Sequence, residues 1–208
     1  GIGLVECADL VRGMMSGAGI RAELMEIEGA PPYVYGEVPS GKPGGRTVIF
    51  YNHYDVQPPE PLALWSSDPF AAEIREGKMY GRGVSDNKAD IISRINLVRA
   101  FAECDGLPCD VMLLVEGEEE IGSPHLPALV EGNAERLRAD ACIWESGGLD
   151  EKDRPEITLG MKGMLYVELT AKVANRDAHS SLAAVVANPA WRLAWALGKI
   201  KGEDEVIR

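Results

Sequence analysis

What this sequence has little of narrows its class before any motif is found. Basic residues are scarce: 21 Lys and Arg face 33 Asp and Glu, for a formal net charge of −12. So acidic a chain argues against nucleic acid or an anionic membrane surface as its main partner. No apolar run reaches the ~20 residues of a membrane span, and the first residues lack the basic-then-apolar layout of a signal peptide. The phosphate-loop spacing G-x-x-x-x-G-K-[ST] is missing. Cysteine is sparse, and Cys7, Cys104, Cys109 and Cys142 match neither a zinc ribbon nor a C-x-x-C redox pair. Cys142 in an apolar run and Cys7 in a helical pattern are expected as buried free thiols, which fits a reducing, cytoplasmic compartment. Histidine is rarer still, with His53, His125 and His179.

What is present describes an ordinary globular chain. With 208 residues, 46% hydrophobic and 26% charged, it can bury a real core in one or two domains. Residues 2–15 carry a helical stripe ended by Gly17 and Gly19. Ala22–Ile27 and Pro32–Val38 read as strands, and Thr47–Tyr51 as a buried strand running into His53-Tyr54-Asp55. Residues 57–68 are a Pro-rich loop, and Phe70–Ile74 with Lys78–Tyr80 form a hairpin around Glu76-Gly77. A long helix opens near Asp86 with Ile91, Ile92, Ile95, Val98 and Phe101 inward. Val111–Val115 is a second buried strand, Pro124–Leu137 a helix, and Ala141–Trp144 a third apolar strand. Ile157–Val173 is extended, and the alternation of Leu165–Ala171 points to a second domain with an antiparallel sheet. Asn188-Pro189 starts a last helix, whose Trp191 and Trp195 read as core or interface.

Strands alternating with helices make this an α/β chain with a mostly parallel sheet flanked by helices. Each buried strand delivers acid or imidazole at its C-terminal end, where sites in such sheets lie. The topology therefore brings His53, Asp86, Glu119, Glu120 and Glu145 to one edge. His53 and Asp55, two apart, share a face, which suits an imidazole ligand held by a carboxylate. Each residue also has a plainer reading. His53-x-Asp55 alone is more often solvated surface, Asp86 can be a helix N-cap, and acidic runs are generally exposed. Four carboxylates at the mouth of a buried strand repel one another unless a cation is shared among them. Oxygen and nitrogen donors without thiolate suit zinc, manganese or cobalt.

Five motifs, HYDV (53–56), GRGVSDNK (81–88), EGEEEIGS (116–123), WES (144–146) and RDAHS (176–180), resemble those of the co-catalytic dinuclear zinc exopeptidases and amidohydrolases. That family includes carnosinase, cytosolic dipeptidases, aminoacylase and succinyl-diaminopimelate desuccinylase. The run Val56–Phe70 looks most like the dipeptidase branch. The resemblance implies a catalytic domain over residues 1–162 and the start of a smaller α+β lid and dimerisation domain over 163–208. It implies two divalent ions, zinc foremost, with His53 and Glu145 on the first, Glu120 on the second and Asp86 bridging. Asp55 would orient His53, Glu119 would act as general base on a water bridged by the ions, and His179 would reach the partner subunit's site in a homodimer. The Asp86–Asn87 peptide is expected to be cis. The family's second ion takes a further histidine from the C-terminal part of the catalytic domain, so a chain starting at Gly1 and ending at Arg208 reads as a fragment of a longer enzyme. His125 is expected to be a surface residue.

The implied activity is hydrolysis of the amide bond of dipeptides or short peptides. An aminoacylase or N-deacylase with the same site is the neighbouring alternative. A non-catalytic metal-binding fragment that associates through its lid is a third reading, from a different class.

Overall fold

The protein is described here by a computed structural model covering residues 2–145 and 147–208, so Ser146 of the WES motif lies outside the described residues. The chain forms two compact units, Gly1–Ile157 and Thr158–Arg208.

In the first unit, helix α1 (Leu4–Gly17) buries Ala8, Val11 and Met15, which its 3.6-residue period places on one face. Five strands form the main sheet: β1 (Arg21–Met25), β2 (Tyr33–Val38), β3 (Thr47–His53), β6 (Asp110–Glu116) and β7 (Ala141–Trp144). A separate hairpin pairs β4 (Glu73–Arg75) with β5 (Lys78–Tyr80). The helices that follow are α2 (Ala89–Ala102) and α3 (Leu126–Gly132), the second shorter than the Pro124–Leu137 expected and capped by Asn133.

The sheet order is β1-β2-β6-β3-β7. The three strands expected to carry the site run parallel, β6 beside β3 and β3 beside β7, while β1 and β2 add an antiparallel half. The sheet is thus mixed, parallel where the site lies. Strand β6 shows why it sits centrally. Val111, Leu113 and Val115 enter the core under α1 and α2, whereas Met112 and Leu114 enter the opposite core with Tyr33, Tyr35, Tyr51 and Leu129. Each such side chain contributes about 1.5–3 kcal/mol on burial.

Strand β7 departs from the expected buried run. It is the sheet's last strand, Ile143 and Trp144 are about half exposed, and Cys142 is exposed rather than buried. Its apolar composition stands unmatched by cover among the described residues.

The second unit holds helix α4 (Pro189–Ile200), begun as expected by Asn188, whose Oδ1 accepts from the Ala190 N–H at 2.9 Å. Trp191 and Trp195 stack on this helix, both more than half exposed. The expected strand Leu165–Ala171 is not formed among the described residues. Alternation gives a strand two faces, but a strand also needs a neighbour for its N–H and C=O groups, and none pairs with this segment. No described helix is long and apolar enough to cross a membrane.

Candidate metal centre

The parallel register sets the site. Tyr51 lies opposite both Leu114 and Trp144, and His53 opposite Glu116, so β3, β6 and β7 end at one edge. His53 is the last residue of β3 and is fully buried. Its Nδ1 faces Asp55, 3.3 Å from Oδ1 and 3.1 Å from the main-chain oxygen. Its Nε2 faces the acids, 3.0 Å from Asp86 Oδ1 and 3.8 Å from Glu119 Oε2.

Asp86 is not a helix cap. The turn Val84–Lys88 departs from helical geometry at Asp86 and Asn87, no side-chain cap bond forms, and α2 begins only at Ala89. Gly83, at φ 79°, starts the turn in the left-handed conformation that favours glycine. The Asp86–Asn87 peptide is cis, as the resemblance implies. After β6, Gly117 lets the acidic turn pass close to a neighbouring ring, since a Cβ there would stand 2.5 Å from Tyr54. A 3-10 turn, Glu119–Ile121, follows. Its Glu119 and Glu120 N–H groups donate to Asp55 at 3.3 and 3.0 Å, and Gln57 Nε2 donates to Glu120 Oε2 at 2.8 Å. Glu145, just past β7, takes φ 40°, and its N–H donates to Tyr51 O at 2.9 Å.

Electrostatics follow from this crowding. Burial pulls His53 toward the neutral form, but Asp55 and Asp86 outweigh it and lift its pKa to about 9. Burial works against Asp55 as well, yet His53 and the Glu120 and Glu119 N–H groups hold its carboxyl below the usual range. Burial raises Glu119 and Glu145, the neighbouring carboxylates add to it, and His53 opposes.

Two sets of donors come together: His53, Glu119 and Glu145 in one, His53, Asp86 and Glu120 in the other. Within each set the ligating atoms lie within 4.8 Å of one another. All donors are imidazole nitrogen or carboxylate oxygen, a hard-to-borderline set that fits divalent cations. The five residues expected at one sheet edge are therefore adjacent. Glu119 and Glu120 both fall within donor reach, so distance alone does not separate ligand from base. His179 belongs to the second unit, where its Nδ1 accepts from the Ser181 N–H at 3.2 Å. His125 is in neither set. Its Nδ1 lies 2.8 Å from Glu118 Oε2, within hydrogen-bond distance.

Three buried polar residues carry hydrogen bonds that a motif-by-motif reading does not assign. Arg94 donates from Nη1 to Tyr51 O at 2.9 Å and to Asn52 Oδ1, and from Nη2 to the Glu145 main-chain oxygen. Asn52 donates to Asn87 Oδ1, which also accepts from the His53 N–H at 3.3 Å. The signal for Arg94 was available: it sits three residues after Ile91 and four before Val98, a charge on the apolar face of α2.

Residues 49–205 match the profile of peptidase family M20/M25/M40. The chain belongs to that family. Its relatives include the Cys-Gly metallodipeptidase of Schizosaccharomyces pombe, 34% identical over 193 residues, covering 86% of this chain and 40% of that protein. The human Beta-Ala-His dipeptidase is 36% identical over 153 residues, covering 72% of this chain and 30% of that one. Among solved structures, an M20 family metallo-carboxypeptidase from Sulfolobus solfataricus superposes with a TM-score of 0.91 at 39% identity, covering 99% of this chain and 46% of that one. The M20 chain here thus spans less than half the length of each.

Proposed function

We propose that this protein is a dipeptidase-like metallohydrolase chain that cleaves the amide bond of dipeptides or short peptides. The observation that carries the reading is the convergence of His53, Asp86, Glu119, Glu120 and Glu145 on the edge of a parallel three-strand segment, in two three-residue sets that share His53 and each hold their donor atoms within 4.8 Å of one another. The dipeptidases among its relatives support the substrate class. Two divalent ions, zinc foremost, would be held by His53, Asp86, Glu120 and Glu145. When bound, they would supply Lewis-acid polarisation of the scissile carbonyl and an acidified water.

The protein's own groups do the rest. Asp55 fixes His53 with Nδ1 inward and Nε2 toward the carboxylates. Glu119, lifted by burial and like charge, is suited to accept a proton from the attacking water and pass it to the departing amine nitrogen. The C–O bond forms, the C–N bond breaks, and Glu119 ends as it began. Residues 163–208 would belong to a lid through which two copies pair, and His179 of each would donate a hydrogen bond to the carbonyl oxygen in the other. A reducing, cytoplasmic location is in keeping with cysteines that form no disulfide.

The test measures metal content and hydrolysis of a dipeptide panel beside N-acyl amino acids. Metal-dependent cleavage of free dipeptides is expected. Preference for N-acyl amino acids would make the protein an aminoacylase, and bound metal without turnover of either class in the longest available form would leave a metal-binding module.

A further inference from the structure

We propose that Arg94 is a positioning residue of the metal centre, clamping the main chain of Glu145 to the end of β3 while Asn52 and Asn87 tie His53 and Asp86 into the same frame. The proposal rests on the metal-centre reading above.

The argument begins with what Arg94 displaces. Helix α2 buries Ile91, Ile95 and Val98, and Arg94 shares their face at 8% exposure. A cation there costs several kcal/mol in desolvation unless its hydrogen bonds are met, and an apolar side chain of similar size would pack without that cost. Stability alone does not call for a guanidinium at this place. What a guanidinium offers is a rigid fork with several donors in one plane.

The fork joins two strands. Nη1 donates to Tyr51 O, at 2.9 Å, and to Asn52 Oδ1, both near the end of β3. Nη2 donates to the main-chain oxygen of Glu145, past the end of β7. Tyr51 O also accepts from the Glu145 N–H, so Glu145 is held on both its N–H and its C=O. That grip is placed where it is needed. Glu145 stands in the left-handed region at φ 40°, and β7 is a short strand whose four residues are all exposed.

The same side chains reach the other donors. Asn52, 1% exposed, passes from Arg94 to Asn87, which is fully buried. Asn87 Oδ1 accepts from the His53 N–H at 3.3 Å, its Nδ2 donates to Asp90 Oδ2 at 3.1 Å, and it directly follows Asp86 in the chain. One buried hydrogen-bond network therefore holds the main chain at two of the five donors, His53 and Glu145, and ends on Asn87, the residue after a third, Asp86. It touches none of their ligating atoms. Phe50 closes the other side, its ring centroid 5.2 Å from the guanidinium carbon.

The test is titration of the 208-residue chain with Zn2+ by calorimetry, with thermal unfolding of each metal-free variant alongside. Arg94→Met keeps the helix face filled and removes the fork; Arg94→Lys keeps the charge and loses the planar geometry. Both are expected to melt cooperatively without metal, yet the tighter Zn2+ site should weaken about 10- to 100-fold, the range for residues that orient metal ligands. Added guanidinium ion should recover part of that affinity in Arg94→Ala and none in wild type. A folded Arg94→Met with wild-type Zn2+ affinity overturns the proposal. If Arg94→Met fails to fold, Arg94→Lys decides by the same titration, and wild-type affinity there overturns it equally. No Zn2+ binding by the wild-type chain overturns the metal-centre reading and this proposal with it, a result distinct from indifference of the variants.

Discussion

Asp55 caps the acidic turn: its Oδ2 accepts a hydrogen bond from the main-chain N–H of Glu120 at 3.0 Å. The same carboxylate accepts from the Glu119 N–H and faces His53 Nδ1, both at 3.3 Å. One buried acid thus orients the imidazole and holds the main chain of the two glutamates opposite it. Asp55→Ala should weaken metal binding about 10- to 100-fold, since it disorients ligands on two elements together. Asp55→Asn, which keeps one acceptor oxygen, should fall between. Gln57→Leu, which removes two exposed hydrogen bonds to Glu120, one to its carboxylate and one to its main-chain oxygen, should change affinity less than either. Metal titration of the three variants checks the ranking, and an Asp55→Ala protein as tight as wild type would contradict it.

Much of this site was readable from the sequence because its residues follow from two periodicities. Apolar runs ending in His53, Glu116 and Trp144 place their successors at one sheet edge once the strands are parallel. What pattern could not show was what lies between those ends. Asn52 reads as the polar end of a strand, Asn87 as the residue after Asp86 and Arg94 as a solvated helix charge, until the groups they bond are in place. Leu165–Ala171 failed for the converse reason: its alternation is a property of the segment, but a strand is a property of a pair. Cys142 failed because burial belongs to a strand's place in the sheet, and β7 is at the edge.

Glu119 and Glu120 are neighbours within reach of the same imidazole, so substitution has to separate them. With Glu119 as the base, Glu119→Gln should retain metal while turnover of a dipeptide falls roughly 100- to 10,000-fold. Glu120→Gln should instead loosen metal. Parallel metal analysis and kcat measurement decide it, and the reverse outcome would exchange the two roles.

For His179 the expectation separates binding from catalysis. Its described hydrogen bonds are local, to Ser181, and it lies in neither donor set. His179→Ala should therefore leave metal affinity unchanged and lower kcat about 100- to 1,000-fold, the cost of removing one donor to a developing oxyanion. Sedimentation completes the test. A monomer with full activity would exclude a role across subunits.

Glu116 gives a stability prediction with a definite sign. Its carboxyl is fully buried, Tyr51 and Ser123 hydroxyls both donate to Oε1, and Oε2 has no partner among the described residues. Burial raises its pKa, the Tyr51 and Ser123 bonds oppose, and Asp55 and Glu118 add to the rise. A carboxyl whose folded pKa lies above its ordinary 4.5 contributes stability that is fully present below that value and is lost as pH rises through the folded pKa. Glu116→Gln has nearly the same shape, keeps an acceptor oxygen for both hydroxyls, and carries no charge at any pH. The Tm of the metal-free variant minus that of wild type should therefore grow as pH rises from 4 to 8, by about 2–4 °C for each kcal/mol of anion burial relieved. Thermal melts in chelator at a series of pH values isolate this term, because every other titrating group is common to both proteins. A difference that stays flat, or that turns toward wild type as pH rises, would mean that Glu116 is a comfortable anion and that Oε2 has found a donor in solution.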